Sequence, residues 1–145
     1  MSTPSLPLRG LKLITIEQYG AAPFGTMYLA DLGAEVVKIE NHHSGGEMGR
    51  HVVPYSEDGD SLFFQTFSCN KKCIALDLQS TAGQEVLARL IVGTDALINN
   101  LRGDLPAKLG IDYAALGSIK ADIVCVHLSA YGRGNERAAW PGLDY

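Results

Sequence analysis

The chain has 145 residues, of which 46% are apolar and 19% charged, and its formal net charge is −4. This length suits one domain with its own core, and the composition is that of a folded globular protein rather than a disordered or fibrous one. The acidic balance and the lack of a basic stripe argue against a nucleic-acid-binding surface. The longest apolar runs have four residues, as at 27–30, which is too short to span a bilayer.

The opening segment and the cysteines bear on the cell compartment. The first ten residues lack the basic and then apolar order of a signal peptide. The three cysteines, Cys69, Cys73 and Cys125, are an odd number and include no CxxC pair. Together these features predict reduced thiols and a cytoplasmic location.

The N-terminal part predicts a β-α-β unit. β-Branched and leucine side chains predict a strand over 11–17, and a second strand follows over 34–40. Between them, Pro23 suits the first turn of a helix that ends at Gly33. We expect this helix to bury an apolar face at helical spacing, formed by Phe24, Met27, Tyr28 and Leu32. Such a unit nearly always joins two parallel strands by a right-handed crossover.

The middle of the chain predicts a long loop and then a second strand–helix pair. Residues 41–60 show no periodicity and predict the loop, which a short helix follows over 61–68. A turn is expected at 70–72, before a strand over 73–78. Thr81 and Gln84 fit a capping box, and the helix it opens continues through Val86, Leu87, Leu90 and Ile91.

The last third predicts two more strands, over 95–99 and 122–129. Asp104 and Asp112 stand where N-caps belong, and they open two short helices between those strands. The strand over 122–129 is apolar enough to predict burial on both faces. The alternation of elements predicts an α/β fold with a mostly parallel sheet and helices on both faces. Because the chain stops at WPGLDY without a closing helix, we expect a fragment of a longer protein.

Ligands of such sheets bind at the carboxyl ends of the strands. Residues 20–24 would place backbone N–H groups at a helix start, where an anion or a carbonyl oxygen can be held. The stretch is not GxGxxG, so the dinucleotide signature is absent, and a tight strand–helix turn is the simpler interpretation. The pattern alone leaves a soluble domain with an anion-binding edge, without a reaction.

Other polar residues have ordinary interpretations. His42, His43, Glu47 and His51 are close in sequence, but their spacing fits no recognised ligand pattern, so we expect a solvated loop and no metal. His127 predicts a histidine of the core or of a pocket edge, with a catalytic base as the less favoured alternative. The pair at 71–72 predicts surface charge, or a phosphate contact if it lies beside a pocket.

Four stretches of the chain together resemble class III CoA-transferases, the CaiB/BaiF family. The family opens with a "PL-x-G" lead, a strand, a "GP"-type turn and "LADLGA-x-V-x-K-x-E", which resembles PLRGLKLITIEQYGAAPFGTMYLADLGAEVVKIE. Its "N-x-x-K-x-S-x-x-L-D-L" segment resembles SLFFQTFSCNKKCIALDLQSTAG, and its "N-F-R-P-G-x-x-x-x-L-G" stretch resembles DALINNLRGDLPAKLGIDYAAL. Its "S-x-x-G-Y-G" and "P-G-x-D" segment resembles HLSAYGRGNERAAWPGLDY.

The resemblance covers essentially the whole chain, and it implies both a fold and an activity. Family members are several times longer, and they form interlocked homodimers with a large Rossmann-like domain built from both ends of the chain. They move CoA from an acyl-CoA to a carboxylic acid through mixed-anhydride and aspartyl-CoA thioester intermediates. The nucleophilic aspartate lies downstream of the P-G-x-D segment, beyond Tyr145. Residues 1–145 are therefore expected to be the N-terminal portion of that large domain, without the nucleophile, without metal and inactive alone.

The resemblance also implies the positions that contact CoA. By position these are Gly20, Ala21, Asn41, Leu76, Asp77, Leu78, Gln79, Asn100, Leu101, Arg102, Lys108, Pro141, Gly142, Leu143 and Asp144. Arg102 and Lys108 can pair with phosphates, and backbone groups near Leu76 can bind the adenine edge. Where members commonly carry Arg and Lys, this chain has Asn41 and Gln79, so phosphate binding is expected to be weaker or to use His42, Arg50 or the pair at 71–72.

Three alternatives differ from a transferase. Acyl-CoA racemases of the same family use a His in "G-H-D", and the matching position here is Leu143, which cannot take a proton. A stand-alone CoA- or nucleotide-binding module would be short by nature, which the abrupt end at Tyr145 disfavours. A Rossmann-type oxidoreductase is disfavoured because GxGxxG is absent.

Overall fold

A computed structural model describes residues 5–142 as five strands and five α-helices. The strands are β1 (Lys12–Ile16), β2 (Glu35–Glu40), β3 (Lys71–Ala75), β4 (Ala96–Asn99) and β5 (Val124–His127). The helices are α1 (Ala21–Asp31), α2 (Leu62–Phe67), α3 (Thr81–Val92), α4 (Leu105–Lys108) and α5 (Tyr113–Leu116). The predicted loop over 41–60 contains two short 3₁₀ turns, His42–Ser44 and Met48–His51.

All five strands are parallel, in the order β3-β2-β1-β4-β5. Successive side chains of β1 point to opposite faces, so Ile14 packs in one cluster with α3 and α5, while Leu13 packs in another beside Ala30 of α1. Helices therefore cover both faces, which confirms the predicted α/β fold.

The face that α1 turns to the sheet is not the predicted one. Its buried residues are small or compact: Ala22, Pro23, Thr26 and Ala30. Phe24 and Tyr28, which were expected in the core, are about half exposed and pack edge to face with each other. The sheet beneath the start of α1 presents polar side chains, among them Glu17, so Thr26 faces it and the aromatic rings turn outward.

The last strand is less buried than its sequence predicts. β5 is at the edge of the described sheet, and Val124 and Val126 are 56% and 38% exposed. Val126 is in register with Ile98, on the α1 side of the sheet, yet within residues 5–142 α1 packs over β1 and β2 rather than over β5. An unbroken apolar strand thus indicates burial on both faces only when neighbours cover both of them.

Of the three capping predictions, that for Thr81 is wrong, that for Asp104 is confirmed in position but not in the side-chain contact, and that for Asp112 is confirmed. The α3 helix is capped by Ser80, whose hydroxyl accepts the Gly83 N–H, rather than by Thr81. Asp104 precedes α4 without a side-chain cap, because its carboxylate pairs with two nearby cations instead. Asp112 does cap α5, accepting from the Ala115 N–H.

The strand β3 begins two residues before the predicted one. The chain turns at Asn70, which has a left-handed φ of 59°, and Lys71 is already within the strand. Lys71 therefore belongs to the strand and not to the turn, and its side chain lies under α1, on the face opposite to that of Lys72.

Candidate functional site

The carboxyl ends of β1, β2 and β4, with the segment after β3, surround a cavity of about 200 Å³. From β1 the sheet continues to β2 on one side and to β4 on the other, so this is where the strand order reverses. In open α/β sheets such a point is where ligands bind. Leucines from the segments after β3 and β4 supply much of the lining, which is completed by Ile16, Gln18, Ile39, Leu105 and Leu109.

The cavity brings together six of the positions that the resemblance implied. These are Asn41, Leu76, Asp77, Leu78, Gln79 and Leu101, which follow β2, β3 and β4. Gly20 and Ala21 stand apart from this lining, at the start of α1. Leu143 and Asp144 are outside the described residues. The segment just before them lies near the end of β5, since a Cβ at Gly142, next to Pro141, would collide with Ala130.

The start of α1 is a helix N-terminus without a side-chain cap. Gly20 is its N-cap residue, and no acidic side chain is present in the first turn. Uncapped N–H groups at such a helix start favour a negatively charged or carbonyl oxygen. The preceding residues are tied to β4, because the Asn100 side chain accepts the Gln18 N–H at 2.7 Å and donates to the Gln18 carbonyl at 2.8 Å.

Asp77 is the acidic group of the cavity. Its Oδ1 accepts the Gln79 N–H at 2.9 Å, and its Oδ2 lies 3.3 Å from His43 Nε2. The Gln79 hydrogen bond, followed by His43, outweighs desolvation and lowers the pKa of the Asp77 carboxyl. An ionised carboxylate here suits a hydroxyl or amino donor of a ligand better than a phosphate.

Two cationic side chains next to the cavity, Lys108 and Arg102, both contact the Asp104 carboxylate. Lys108 Nζ donates to Asp104 Oδ2 at 2.7 Å, and Arg102 Nε lies 3.4 Å from Asp104 Oδ1. The Lys108 hydrogen bond is the largest cause of a lowered pKa for Asp104. Both cationic side chains remain partly exposed, although the Asp104 side chain between them is only 15% exposed, so they can still reach a ligand phosphate from the solvent side.

Gln84 connects two walls of the cavity, a role that its sequence position did not reveal. Its amide donates to the Leu78 carbonyl at 2.6 Å and to the Leu109 carbonyl at 2.9 Å. The capping-box interpretation assigned this side chain to the start of α3 instead. It reaches carbonyls in the segments that precede α3 and follow α4, and the second of these is brought within reach only by the tertiary fold.

A buried layer of charges lies under the start of α1, and sequence reasoning missed it. Lys71 Nζ donates to Glu17 Oε1, to Thr26 Oγ1 and to the Pro23 carbonyl, each at 2.8 Å. Glu17 also accepts from Thr26, and Lys38 Nζ lies 3.3 Å from Glu47 Oε1. The four charged side chains are 0–1% exposed. Charged residues inside otherwise apolar strands, such as Glu17 and Lys38, were the available signal.

A second ion pair closes the other side of the loop after β2. Arg50 makes a two-pronged contact with Glu40, at 2.7 and 2.8 Å, and its guanidinium stacks 3.8 Å from the Phe64 ring. Burial raises the pKa of Glu40, but hydrogen bonds from Arg50, Cys73 and the Glu47 N–H outweigh it and lower the value to about 2. Arg50 is thereby engaged in holding the loop.

His127 is partly buried at the end of β5. Asn99 Nδ2 lies 2.7 Å from its Nδ1, within hydrogen-bond distance. Burial, followed by the nearby Arg133, lowers its pKa. The ring takes no part in the cavity lining, in keeping with its interpretation as a structural histidine.

Residues 5–142 contain neither an arranged metal site nor a membrane-spanning helix. No group of three or more His, Cys, Asp or Glu side chains is arranged to hold a metal ion there. Glu47, one of the four neighbours considered in sequence, is turned inward to Lys38 instead. In the same part of the chain, no helix has the length and apolar character needed to cross a membrane.

Known proteins are similar to this chain in sequence and in fold. The model of CoA-transferase family III matches residues 8–145. A succinate–glutarate CoA-transferase of Agrobacterium fabrum is 30% identical over 144 residues, covering 96% of this chain and 36% of that protein. The β subunit of a succinyl-CoA–L-malate CoA-transferase of Chloroflexus aurantiacus is 32% identical over 142 residues, covering 98% of this chain and 35% of its own length.

Solved structures agree with the sequence comparison. A hypothetical protein of Mycobacterium tuberculosis superposes with a TM-score of 0.87 at 29% identity, over 98% of this chain and 39% of its own. A CaiB/BaiF family protein of Brucella suis gives 0.86 at 28% identity, over 97% and 38%. The chain thus spans little more than a third of the length of these relatives. Its matched residues, its parallel sheet and its structural neighbours establish that the chain belongs to CoA-transferase family III.

Proposed function

We propose that these residues form the CoA-binding part of an enzyme that transfers CoA from an acyl-CoA to a carboxylic acid. The observation that carries the proposal is the cavity at the reversal of strand order, lined by positions that follow the four neighbouring strands β3, β2, β1 and β4. Membership of family III supports the same substrate class. The two curated relatives described above are named as CoA-transferases for succinate and glutarate and for succinyl-CoA and L-malate.

In this proposal the apolar cavity receives the adenine of CoA. Leu76, Leu78 and Leu101 supply flat apolar contact, and Asp77 accepts a hydrogen bond from an amino or hydroxyl group. Arg102 and Lys108 lie within a few residues of the lining Leu101, Leu105 and Leu109 and face the phosphates. The cations commonly present at the positions of Asn41 and Gln79 are absent, so this part of the site binds phosphate less strongly.

The thioester end of CoA is assigned to the turn at Gly20 and Ala21. Uncapped N–H groups at the start of α1 suit the thioester carbonyl oxygen, on which negative charge grows during acyl transfer. Pro141 and Gly142, with Leu143 and Asp144 beyond the described residues, are proposed to border the same ligand. This places the two ends of CoA on opposite sides of the β1 strand end.

The transfer step requires a carboxylate nucleophile, which we assign to a part of the longer relatives that these residues do not cover. Its oxygen attacks the thioester carbonyl carbon, the C–S bond breaks, and CoA leaves as the thiolate while a mixed anhydride forms. The thiolate then attacks the aspartyl carbonyl, releasing the donor acid and leaving an aspartyl-CoA thioester. The acceptor carboxylate then attacks the aspartyl carbonyl of this thioester and releases the thiolate, so that a second mixed anhydride forms. The thiolate attacks the acceptor's acyl carbon in that anhydride, giving the new acyl-CoA and freeing the aspartate. The 145 residues alone are therefore expected to bind CoA without turnover.

Three further properties belong to the proposal for the whole protein. It acts as an interlocked homodimer, it needs no metal, and it is cytoplasmic. The carboxylate nucleophile replaces metal activation, since covalent capture of the acyl group already divides the transfer into two easier steps.

The test is calorimetric titration of the 145-residue chain with CoA, with NADH as the control nucleotide and circular dichroism to verify cooperative unfolding. The proposal predicts micromolar CoA binding, no NADH binding and no CoA transfer between succinyl-CoA and glutarate. A folded chain that binds neither nucleotide, or that binds both alike, would contradict it. Transferase turnover by the chain itself would refute the assignment of the nucleophile.

A further inference from the structure

Tyr19 has an unusual backbone conformation beside the proposed thioester site. Its φ is +64°, the left-handed region, which bulky side chains rarely adopt. It directly precedes Gly20, the N-cap of α1. Non-glycine residues persist in such conformations when their surroundings hold them, and they concentrate at ligand sites.

A buried carboxylate holds this residue in place. Glu47 Oε2 accepts the Tyr19 N–H at 2.8 Å, while its Oε1 faces Lys38 at 3.3 Å. The next residue along, Met48, donates its N–H to the Gln18 side chain at 2.9 Å. The loop after β2 therefore makes hydrogen bonds with two successive residues, Gln18 and Tyr19, of the turn between β1 and α1.

The Glu47 side chain is tightly packed. A Cβ at Gly49 would collide with Glu47 Oε1, and a Cβ at Gly46 would meet Glu40 Oε2 and Arg50. Burying a carboxylate costs desolvation, and an apolar side chain of similar volume often packs at least as well. Gly49 and the ion pair with Lys38 thus border the Glu47 carboxylate, whose other oxygen makes the hydrogen bond to Tyr19.

We propose that Glu47 is a positioning residue for acyl-CoA binding. Through the Tyr19 N–H it fixes the left-handed turn that sets the direction of the Gly20 and Ala21 N–H groups. The inference rests on the proposed function in one respect, namely that this turn contacts CoA. Glu47 itself is 1% exposed and touches no ligand; it acts through Tyr19.

Glu47→Gln tests the contact with little change of shape. The amide oxygen can face Tyr19 only when the NH₂ group faces the Lys38 ammonium, so one contact is lost in either orientation. We expect CoA binding to weaken by about tenfold or more, and the Tyr19 amide proton to exchange faster, while the Ile14 and Leu97 amides remain protected. Glu35→Gln, an exposed carboxylate paired with Lys72, serves as the matched control and leaves both readouts unchanged.

Tyr19→Gly separates positioning from a merely structural role. Glycine adopts a φ of +64° without strain, so the turn no longer depends on Glu47. In this background Glu47→Gln is expected to weaken CoA binding by less than about threefold, as a double-mutant cycle measures. An equal loss of affinity in both backgrounds would overturn the proposal, and so would unchanged affinity in the Glu47→Gln single variant.

The two proposals fail in different ways. If the wild-type chain does not bind CoA, the proposed function fails and the positioning role fails with it, while Tyr19 amide exchange still decides whether Glu47 holds the turn. If the wild type binds CoA and Glu47→Gln frees the Tyr19 amide without weakening binding, only the positioning role is refuted. If Glu47→Gln does not fold, Glu47→Asp takes its place, made both in the wild-type chain and in the Tyr19→Gly variant. The proposal then predicts that Glu47→Asp weakens CoA binding less in the Tyr19→Gly variant than in the wild-type chain.

Discussion

The Lys71 ammonium donates to the Glu17 carboxylate at 2.8 Å, and neither side chain is exposed to solvent. This pair joins the third strand of the sheet to the end of the first, directly beneath the start of α1. The neighbouring lysine has the opposite environment, since Lys72 pairs with Glu35 on the surface. Two adjacent residues of one type therefore provide a matched comparison.

We expect Lys71→Met to lower the free energy of unfolding by about 3 kcal/mol, because Glu17 is then buried without its main cationic partner. Lys72→Met is expected to change it by less than about 0.5 kcal/mol, as is usual for exposed pairs. Urea unfolding followed by circular dichroism measures both. Similar losses from the two variants would show that Lys71 does not have the buried role described above.

The lowered pKa of Glu40 makes the stability of the fold depend on pH, and Arg50 is the main source of that dependence. The folded pKa of Glu40 is about 2, below the ordinary value of 4.5, so the ionised form is favoured in the folded state. Its contribution to stability is complete above pH 4.5 and is lost as the pH falls toward 2.

Arg50→Gln is expected to remove most of that contribution. Wild type and variant should differ clearly in unfolding free energy at pH 6, and the difference should shrink between pH 4.5 and pH 2. Denaturant unfolding across this range provides the measurement, with Arg89→Gln, in an exposed pair with Glu85, as the control. A difference that stays constant with pH would contradict the assignment to Glu40.

The lowered pKa of His127 makes stability depend on pH in a higher range than that of Glu40. Burial lowers its pKa below 6.5, so the unfolded chain binds a proton more readily than the folded one. Stability therefore decreases as the pH falls through 6.5. His127→Gln should flatten the stability profile between pH 7.5 and pH 5.5, whereas His42→Gln, on an exposed 3₁₀ turn, should not. Equal slopes in wild type and His127→Gln would count against a depressed pKa.

The strands and their parallel direction follow well from the sequence, whereas the strand order and the buried charges do not. Alternating and continuous apolar runs located all five strands, because burial of a sheet face constrains every second residue. Lys71 was assigned to a turn since its charge, beside Lys72 and after Asn70, resembles a surface loop. Its partner Glu17 is 54 residues away, and a contact of that range leaves no local pattern.

In the candidate site, too, some residues could be predicted from the sequence and others could not. Positions such as Asn41 and Gln79 came from the family resemblance, while apolar periodicity alone reached only an anion-binding edge. Glu47 and Gln84 act by contacting backbone groups far along the chain, so their residue types carried no indication of those roles.

Restoring the two missing cations should strengthen CoA binding. Asn41 and Gln79 both line the cavity, and Asn41→Arg with Gln79→Lys adds two positive charges where the family commonly has them. We expect about three- to tenfold tighter binding at low salt, decreasing as added salt screens the phosphates. Ser118→Lys, at the amino edge of the sheet after α5, adds charge without this effect. Equal gains from both sites would indicate only nonspecific attraction.

The location of CoA is the central claim, and amide spectra of the ¹⁵N-labelled chain titrated with CoA test it most directly. The account predicts that the largest shifts fall on Gly20, Ala21, Leu101 and residues 76–79, with Lys120 and Asp122 at the opposite edge unaffected. Shifts concentrated elsewhere, or an unchanged spectrum at saturating CoA, would contradict it.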